Sequence, residues 1–169
     1  MQIGNIHFGK AETAMLPMIS IMEAALLWDL LVGRYKCIRE TRIYHSWAHD
    51  LDWKSLLEVG IRILESQSRA LEQQVQTYKL PLPDRPPLTD RLPENISEVH
   101  DRYVFSQVFE GCQSWIDCFA RASRSMITND PLRHIIVDCL TTDLTMFDKL
   151  VKFAKLKGWL EPSPMYTAN

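Results

Sequence analysis

Reactive motifs are what this sequence has least of. No Gly-rich phosphate loop, nucleophile elbow or Ser/His/Asp arrangement can be found along it, so phosphate-cradling and triad chemistry have no residues to rest on. The four cysteines, Cys37, Cys112, Cys118 and Cys139, are widely spaced and form no Cys-x-x-Cys pair, which excludes zinc ribbons and dithiol redox motifs. They read as free thiols of a reducing compartment. No run of like charge breaks the mixture of 19 basic and 21 acidic residues, a formal net charge of −2, so neither a nucleic-acid patch nor a polybasic membrane anchor is visible. The opening Met1-Gln2-Ile3-Gly4-Asn5-Ile6-His7-Phe8 has no basic region before an apolar run of signal-peptide length. No stretch reaches the roughly 18 to 20 apolar residues that a membrane span needs. The expectation is a soluble, cytoplasmic protein with no nucleic-acid or membrane partner.

What is present is a regular pattern. With 46% hydrophobic and 24% charged residues over 169 positions, the chain has the composition and length of one domain with a sizeable core. Four helical blocks of similar length are broken in the middle by Pro81-Leu82-Pro83-Asp84-Arg85-Pro86-Pro87. Ser20-Ile21-Met22-Glu23 has the capping-box arrangement, which starts the first helix after a leader of residues 1–19. Leu26, Leu27, Leu30, Leu31, Ile38 and Ile43 then keep helical spacing over 21–48. Asp50 is a good N-cap for a second helix, 51–78, with Asp52 in its first turn and the stripe Leu57, Ile61, Leu64, Leu71. Asn95 and Glu98 announce a third, 96–126, striped by Val99, Tyr103, Phe109, Cys112, Ile116 and Phe119. Asp130-Pro131 begins the fourth, 131–157, with the stripe Leu132, Ile136, Leu140, Leu144, Phe147, Val151, Ala154, and Lys157-Gly158 stops it. Residues 159–169 form a tail.

Two short connections make two antiparallel hairpins. Between them, residues 79–95 hold five prolines and no apolar period, which rules out helix. Seventeen extended residues reach roughly 55 Å, whereas a 28-residue helix is about 42 Å long, so this segment can travel the whole bundle. The pattern therefore predicts an all-α, ferritin-like four-helix bundle with a long Pro-rich crossover between the second and third helices.

The metal chemistry of such bundles needs Glu-x-x-His on two helices and a Glu on each of the others. It is missing: the residues three beyond Glu23, Glu40, Glu58, Glu65, Glu72, Glu98 and Glu110 are Leu26, Ile43, Ile61, Ser68, Val75, Asp101 and Gln113. A different cluster is legible. His45 and His49 are spaced i,i+4 at the end of the first helix, and a full-length crossover brings Asp50, His100 and Asp101 to the same end. Such a set of imidazoles and carboxylates suits zinc, manganese or iron. Against it, the two histidines favourably face the helix dipole, Asp50 caps the second helix, and Asp101 can pair with an arginine. Asp143 and Gln67 interrupt apolar stripes and read as buried polar groups bonded to Arg34 or Tyr44, with an Asp143–Arg34 ion pair the natural arrangement. Trp28, Trp47, Trp53 and Trp115 read as anchors between helices, or as dimer contacts where exposed. His134 falls on the exposed first turn of the fourth helix. Met22, Met126 and Met146 permit an apolar ligand between the helices.

The ordered set of Glu23 before Leu26-Leu27-Trp28, His49-Asp50 before Lys54, Pro81-Leu82-Pro83, Asp101-Arg102-Tyr103, Asn129-Asp130, and Lys157-Gly158-Trp159 with Pro162 and Pro164 resembles a known family. It is the bacterial family catalogued as domain of unknown function 3231, akin to the spore-coat F type of bundle, and the resemblance covers about residues 20–166. It implies a ferritin-like fold without established activity or catalytic residues to carry over. Many relatives carry the domain twice in one chain, so the resemblance implies that two copies of this chain pair as a homodimer, with coat or assembly proteins as partners and spore association. A non-enzymatic assembly protein is the function expected, and a metal-dependent redox protein with ligands unlike the di-iron pattern is the alternative.

Overall fold

The computed structural model describes residues 18–87, 99–164 and Tyr166, together with the backbone of a short antiparallel ribbon in which β1 (Gln2–Ile3) pairs with β2 (Ile6–His7). The rest of the architecture is helical: α1 (Ile21–Trp47), α2 (Leu51–Thr77), α3 (Asp101–Ser125) and α4 (Asp130–Lys157).

Helix ends follow local side-chain chemistry. The capping box at α1 forms, the Ser20 N–H donating to Glu23 Oε2 at 2.8 Å and the Glu23 N–H to Ser20 Oγ at 3.2 Å. Asp50 caps α2 by accepting from the Trp53 N–H at 3.0 Å. The cap of α4 is Asn129, one residue earlier than expected, because its side chain accepts from the Leu132 N–H at 2.9 Å while Asp130 pairs with Arg133 inside the first turn. Gly158 closes α4 at φ 68°, a left-handed conformation that glycine adopts without steric cost. The expected Asn95 cap of α3 and Glu98 lie outside the described residues. Val99 and His100 are not helical, and α3 starts at Asp101. A physical reason is visible: the Asp101 carboxylate is drawn into the α1–α2 corner, accepting from the His49 and Asp50 N–H groups, each at 2.8 Å.

Hydrogen bonds at the helix ends define the topology. At one pole the start of α1 meets the α3–α4 connection, where Glu23 accepts from the Thr128 and Asn129 N–H groups. The opposite pole joins the α1–α2 corner to the start of α3 through Asp101, and to the end of α4 through Lys157 and Asp50. Helices α2 and α3 therefore begin at the same pole, opposite the end at which α2 hands over to the segment that follows it. Its described part, up to Pro87, turns back over α1 and α2: the Trp28 indole donates to the Pro81 carbonyl at 3.1 Å, and Arg85 pairs with Glu72 while lying over the Tyr35 ring.

Two apolar clusters fill the bundle. Near the Glu23 pole, Leu27, Leu31, Leu71, Phe119, Leu132 and Ile136 pack together with their neighbours. Near the Asp101 pole, Trp53, Leu57, Val104, Phe105, Met146 and Leu150 do the same, with Trp53 stacked against Phe153 and edge-on to Phe105 and Trp159. Two expected stripes are rotated slightly. Tyr103 is exposed where Val104 and Phe105 are buried, and Leu144 is exposed where Asp143 and Met146 are buried. The 3.6-residue period fixes a face only to within one residue, so either neighbour satisfies it.

Candidate functional site

Three polar side chains meet at mid-bundle, between the two apolar clusters. Arg34 from the middle of α1 forms an ion pair with Asp143 from the middle of α4, and Gln67 from α2 donates to Asp143 Oδ1 at 2.8 Å and to the Cys139 carbonyl at 3.2 Å. All three are buried. The guanidinium packs against two neighbouring aromatic rings, with its carbon 4.4 Å from the Trp115 ring centre and 4.6 Å from that of Phe119. Cation–π contact of this kind is strongest where water is excluded. Trp115 approaches α1 over Gly33, where a β-carbon would stand 2.2 Å from its ring. Glycine is required there by contact rather than by backbone angle.

Chemically, this layer is closed. Each charge is paired with its opposite, and the cationic guanidinium repels a divalent metal at the level where helices of this kind would converge on one. The thiols beside it are poor nucleophiles. Burial pushes Cys37 up to about 11, Cys112 up to about 12 and Cys139 up to about 11, so all three stay protonated near neutrality.

The five residues singled out as metal ligands lie at the Asp101 pole. His49, Asp50 and Asp101 come together there, the His49 Nδ1 lying 3.9 Å from Asp101 Oδ1. Both carboxylates have other partners. Asp101 receives the two backbone N–H groups, and Asp50 caps α2 while Lys157 Nζ donates to it at 2.6 Å and to Asp52 at 2.9 Å. The bond from Lys157, with the cap from the Trp53 N–H, holds the Asp50 carboxyl below the usual range. The Asp50 and Asp52 carboxylates raise Lys157 in return. His45 stands apart from the group, its Nε2 3.2 Å from Glu58 Oε1, and His100 serves as the N-cap residue of α3 without a side-chain cap bond. Among the described residues, no three or more His, Cys, Asp or Glu side chains are arranged to hold a metal ion.

Sequence patterning missed one polar group of consequence. Glu23 is fully buried and does more than cap its own helix, because its carboxylate also accepts from the Thr128 N–H at 3.0 Å, the Thr128 hydroxyl and the Asn129 N–H at 3.3 Å. Burial alone would raise this carboxyl, but the bonds from Thr128 and Ser20 outweigh it and hold the group below the usual glutamate range. The sequence carries only its place in the Ser20 capping box, because the reach to Thr128 depends on a residue 105 positions away.

Fold and site together define an all-α four-helix bundle with a paired, buried polar layer. No protein-family model matches the chain, and no curated protein matches it. Among solved structures, one provisionally assigned as a spore coat protein of Bacillus halodurans C-125 is similar, with a TM-score of 0.76 at 18% identity over 89% of this chain and 96% of that one. At that identity the likeness establishes a shared helical fold. Among the described residues, no helix is long and apolar enough to cross a membrane.

Proposed function

We propose that this protein is a non-enzymatic, ferritin-like helical bundle that works by self-association, as a homodimer and as a unit of a coat-like protein layer, in the manner of the domain of unknown function 3231 family. The observation that carries the reading is a cluster of large apolar side chains at the Glu23 pole. Met18, Ile21, Met22 and Ile127 are exposed to 69%, 91%, 62% and 75%. Glu23 bonds to Thr128, and Asn129 Nδ2 donates to the Met18 carbonyl, so these four residues share one end of the bundle. Scattered exposed apolar residues are ordinary, whereas a group of them at one place marks an association surface. The likeness to a protein assigned to a spore coat supports the same reading, as does a bundle centre occupied by an ion pair.

Light scattering coupled to size-exclusion chromatography tests this directly. Wild-type protein at micromolar concentration is expected to elute with the mass of two chains, and the double variant Ile21→Lys/Ile127→Lys with the mass of one at unchanged helicity. A strictly monomeric wild type would overturn the proposal. The alternative of a metal-dependent protein keeps only the approach of His49 to Asp101, and elemental analysis separates the two: an equivalent of zinc, manganese or iron retained per chain would favour it.

A further inference from the structure

Where the Pro-rich segment turns back over α1 and α2, a solvent-open groove collects four arginines that are scattered in the sequence: Arg39 and Arg42 from α1, Arg69 from α2, and Arg85 from the segment itself. Tyr35 and Ser68, both buried, lie beneath them. Two ion pairs mark the ends of the groove. Arg42 meets Glu65 at 2.7 Å, and Arg85 meets Glu72 at 2.6 Å with its guanidinium carbon 5.1 Å from the Tyr35 ring centre. These contacts set the register of the hairpin, Arg42 beside Glu65 and Tyr35 beside Glu72. Arg39 stands between Tyr35 and Arg42 on one stripe of α1, and Arg69 between Glu65 and Glu72 on one stripe of α2. Both therefore fall in the stretch between the two ion pairs, and neither forms a salt bridge among the described residues. The groove thus sets four guanidiniums against two carboxylates that are already taken, in a chain whose formal net charge is −2. Like charges gathered in this way repel one another, so the arrangement works against the hairpin unless an anion completes it.

We infer that this groove binds a phosphate dianion, free or carried as a monoester on a small molecule, between Arg39 and Arg69 with Arg85 at its edge. Charge supports this, since two surplus guanidiniums match two negative charges, whereas a single carboxylate neutralises only one of them and a divalent metal is repelled. Donor geometry supports it as well: the planar fork of a guanidinium fits phosphate oxygens two at a time. Arg39 is half-buried, so its charge is less screened by water than that of a fully exposed arginine. A nucleic-acid strand fits less well. The surplus is confined to about two helical turns, roughly 10 Å, between ion pairs, whereas a strand needs a basic track along its backbone. Because Arg85 belongs to the segment that leaves α2, an anion held here also ties that segment to the bundle, beside the bond from Trp28 to the Pro81 carbonyl.

The test is isothermal titration calorimetry of the full chain with inorganic phosphate and with glycerol 3-phosphate, in chloride buffer of constant low ionic strength. Saturable binding of either is expected, the tighter of the two identifying the source, with sulfate competing and acetate failing to compete. Arg39→Gln and Arg69→Gln should each weaken binding about tenfold, the worth of one charge-assisted hydrogen bond, and the double variant should abolish it. Lys152→Gln on α4 should leave it unchanged. A second measurement separates binding from a structural role: since the two charges repel, the double variant without phosphate should be at least as stable in urea as the wild type. A loss of stability there would show that the two arginines serve the fold, and would overturn the proposal. So would the absence of saturable heat, binding that survives the double substitution, or an RNA oligonucleotide that binds where neither phosphate compound does.

Discussion

At the level of single residues, the buried charges dominate. Arg34, Asp143 and Gln67 form a network in which removing one partner leaves another buried without compensation, and that situation typically costs about 3–5 kcal/mol. Arg34→Met and Asp143→Leu should each destabilise by about that amount in urea denaturation. The double variant should recover much of the loss, because it replaces a desolvated pair with packed apolar groups. Two single losses that simply add would show that the residues act independently and that the pair has no coupling. Glu23 behaves differently, since its charge is held by donors rather than by a cation. Its carboxyl is lowered in the folded protein, so its stabilisation is present above the unfolded value of about 4.3 and is lost as pH falls through the lower folded value. Glu23→Gln should therefore cost about 1–3 kcal/mol at pH 7, since bonds to charged groups are the stronger ones. The variant should approach the wild type as pH drops below about 4. A constant difference from pH 7 to pH 3, measured by chemical denaturation, would refute the linkage.

Among elements, the contact of α1 with α3 is the most constrained, because the Trp115 ring occupies the space above Gly33. On helix propensity alone Gly33→Ala would stabilise by about 1 kcal/mol. Sterically it must displace Trp115 from Arg34, and overpacking of this kind costs about 1–3 kcal/mol. The expected outcome is net destabilisation, with the indole resonance of Trp115 shifted, and a stabilised Gly33→Ala would show that the ring moves freely. This contact was not legible in the sequence, where Gly33 is one helix-interior glycine among three. Helix existence was legible, because caps such as Ser20, Asp50 and Lys157-Gly158 act within a few residues of themselves. The Arg34–Asp143 pair was also readable, since a charge inside an apolar stripe must be paired and few partners lie at its level. What escaped were features that depend on distant residues. Asp101 sets the start of α3 by binding the α1–α2 corner, Glu23 reaches across to Thr128, and the arginine groove exists only where Arg39, Arg69 and Arg85 come from different segments to one place. The placement of the two histidines also depends on distant residues: spacing put His45 and His49 on one face, and in the structure the first meets Glu58 on α2 while the second lies beside Asp101.

For the molecule as a whole, the question is whether two hairpins pinned at opposite poles melt as one. Glu23 fastens α1 to the α3–α4 connection at one end, and Asp101 fastens α3 to the α1–α2 corner at the other. With 27 residues in α1, the two fastenings are separated by about 40 Å. Each apolar cluster contains side chains from both hairpins, so neither hairpin can leave without exposing both clusters. The mid-bundle polar layer interrupts apolar contact between them, but all four helices run continuously through it. Cooperative unfolding follows from that continuity. Asp101→Asn, which retains one acceptor oxygen but loses the charge, should cost about 1–2 kcal/mol. Combined with Glu23→Gln, its effect should add to within about 0.5 kcal/mol, as distant sites do in a single two-state unit. Helicity by circular dichroism and tryptophan fluorescence should give coincident transitions for every variant. Fluorescence is weighted toward the Asp101 half, where Trp47, Trp53 and Trp159 lie. If its transition in Asp101→Asn preceded the loss of helicity, that half would be opening alone, and the polar layer would be a boundary between two folding units instead of a joint within one.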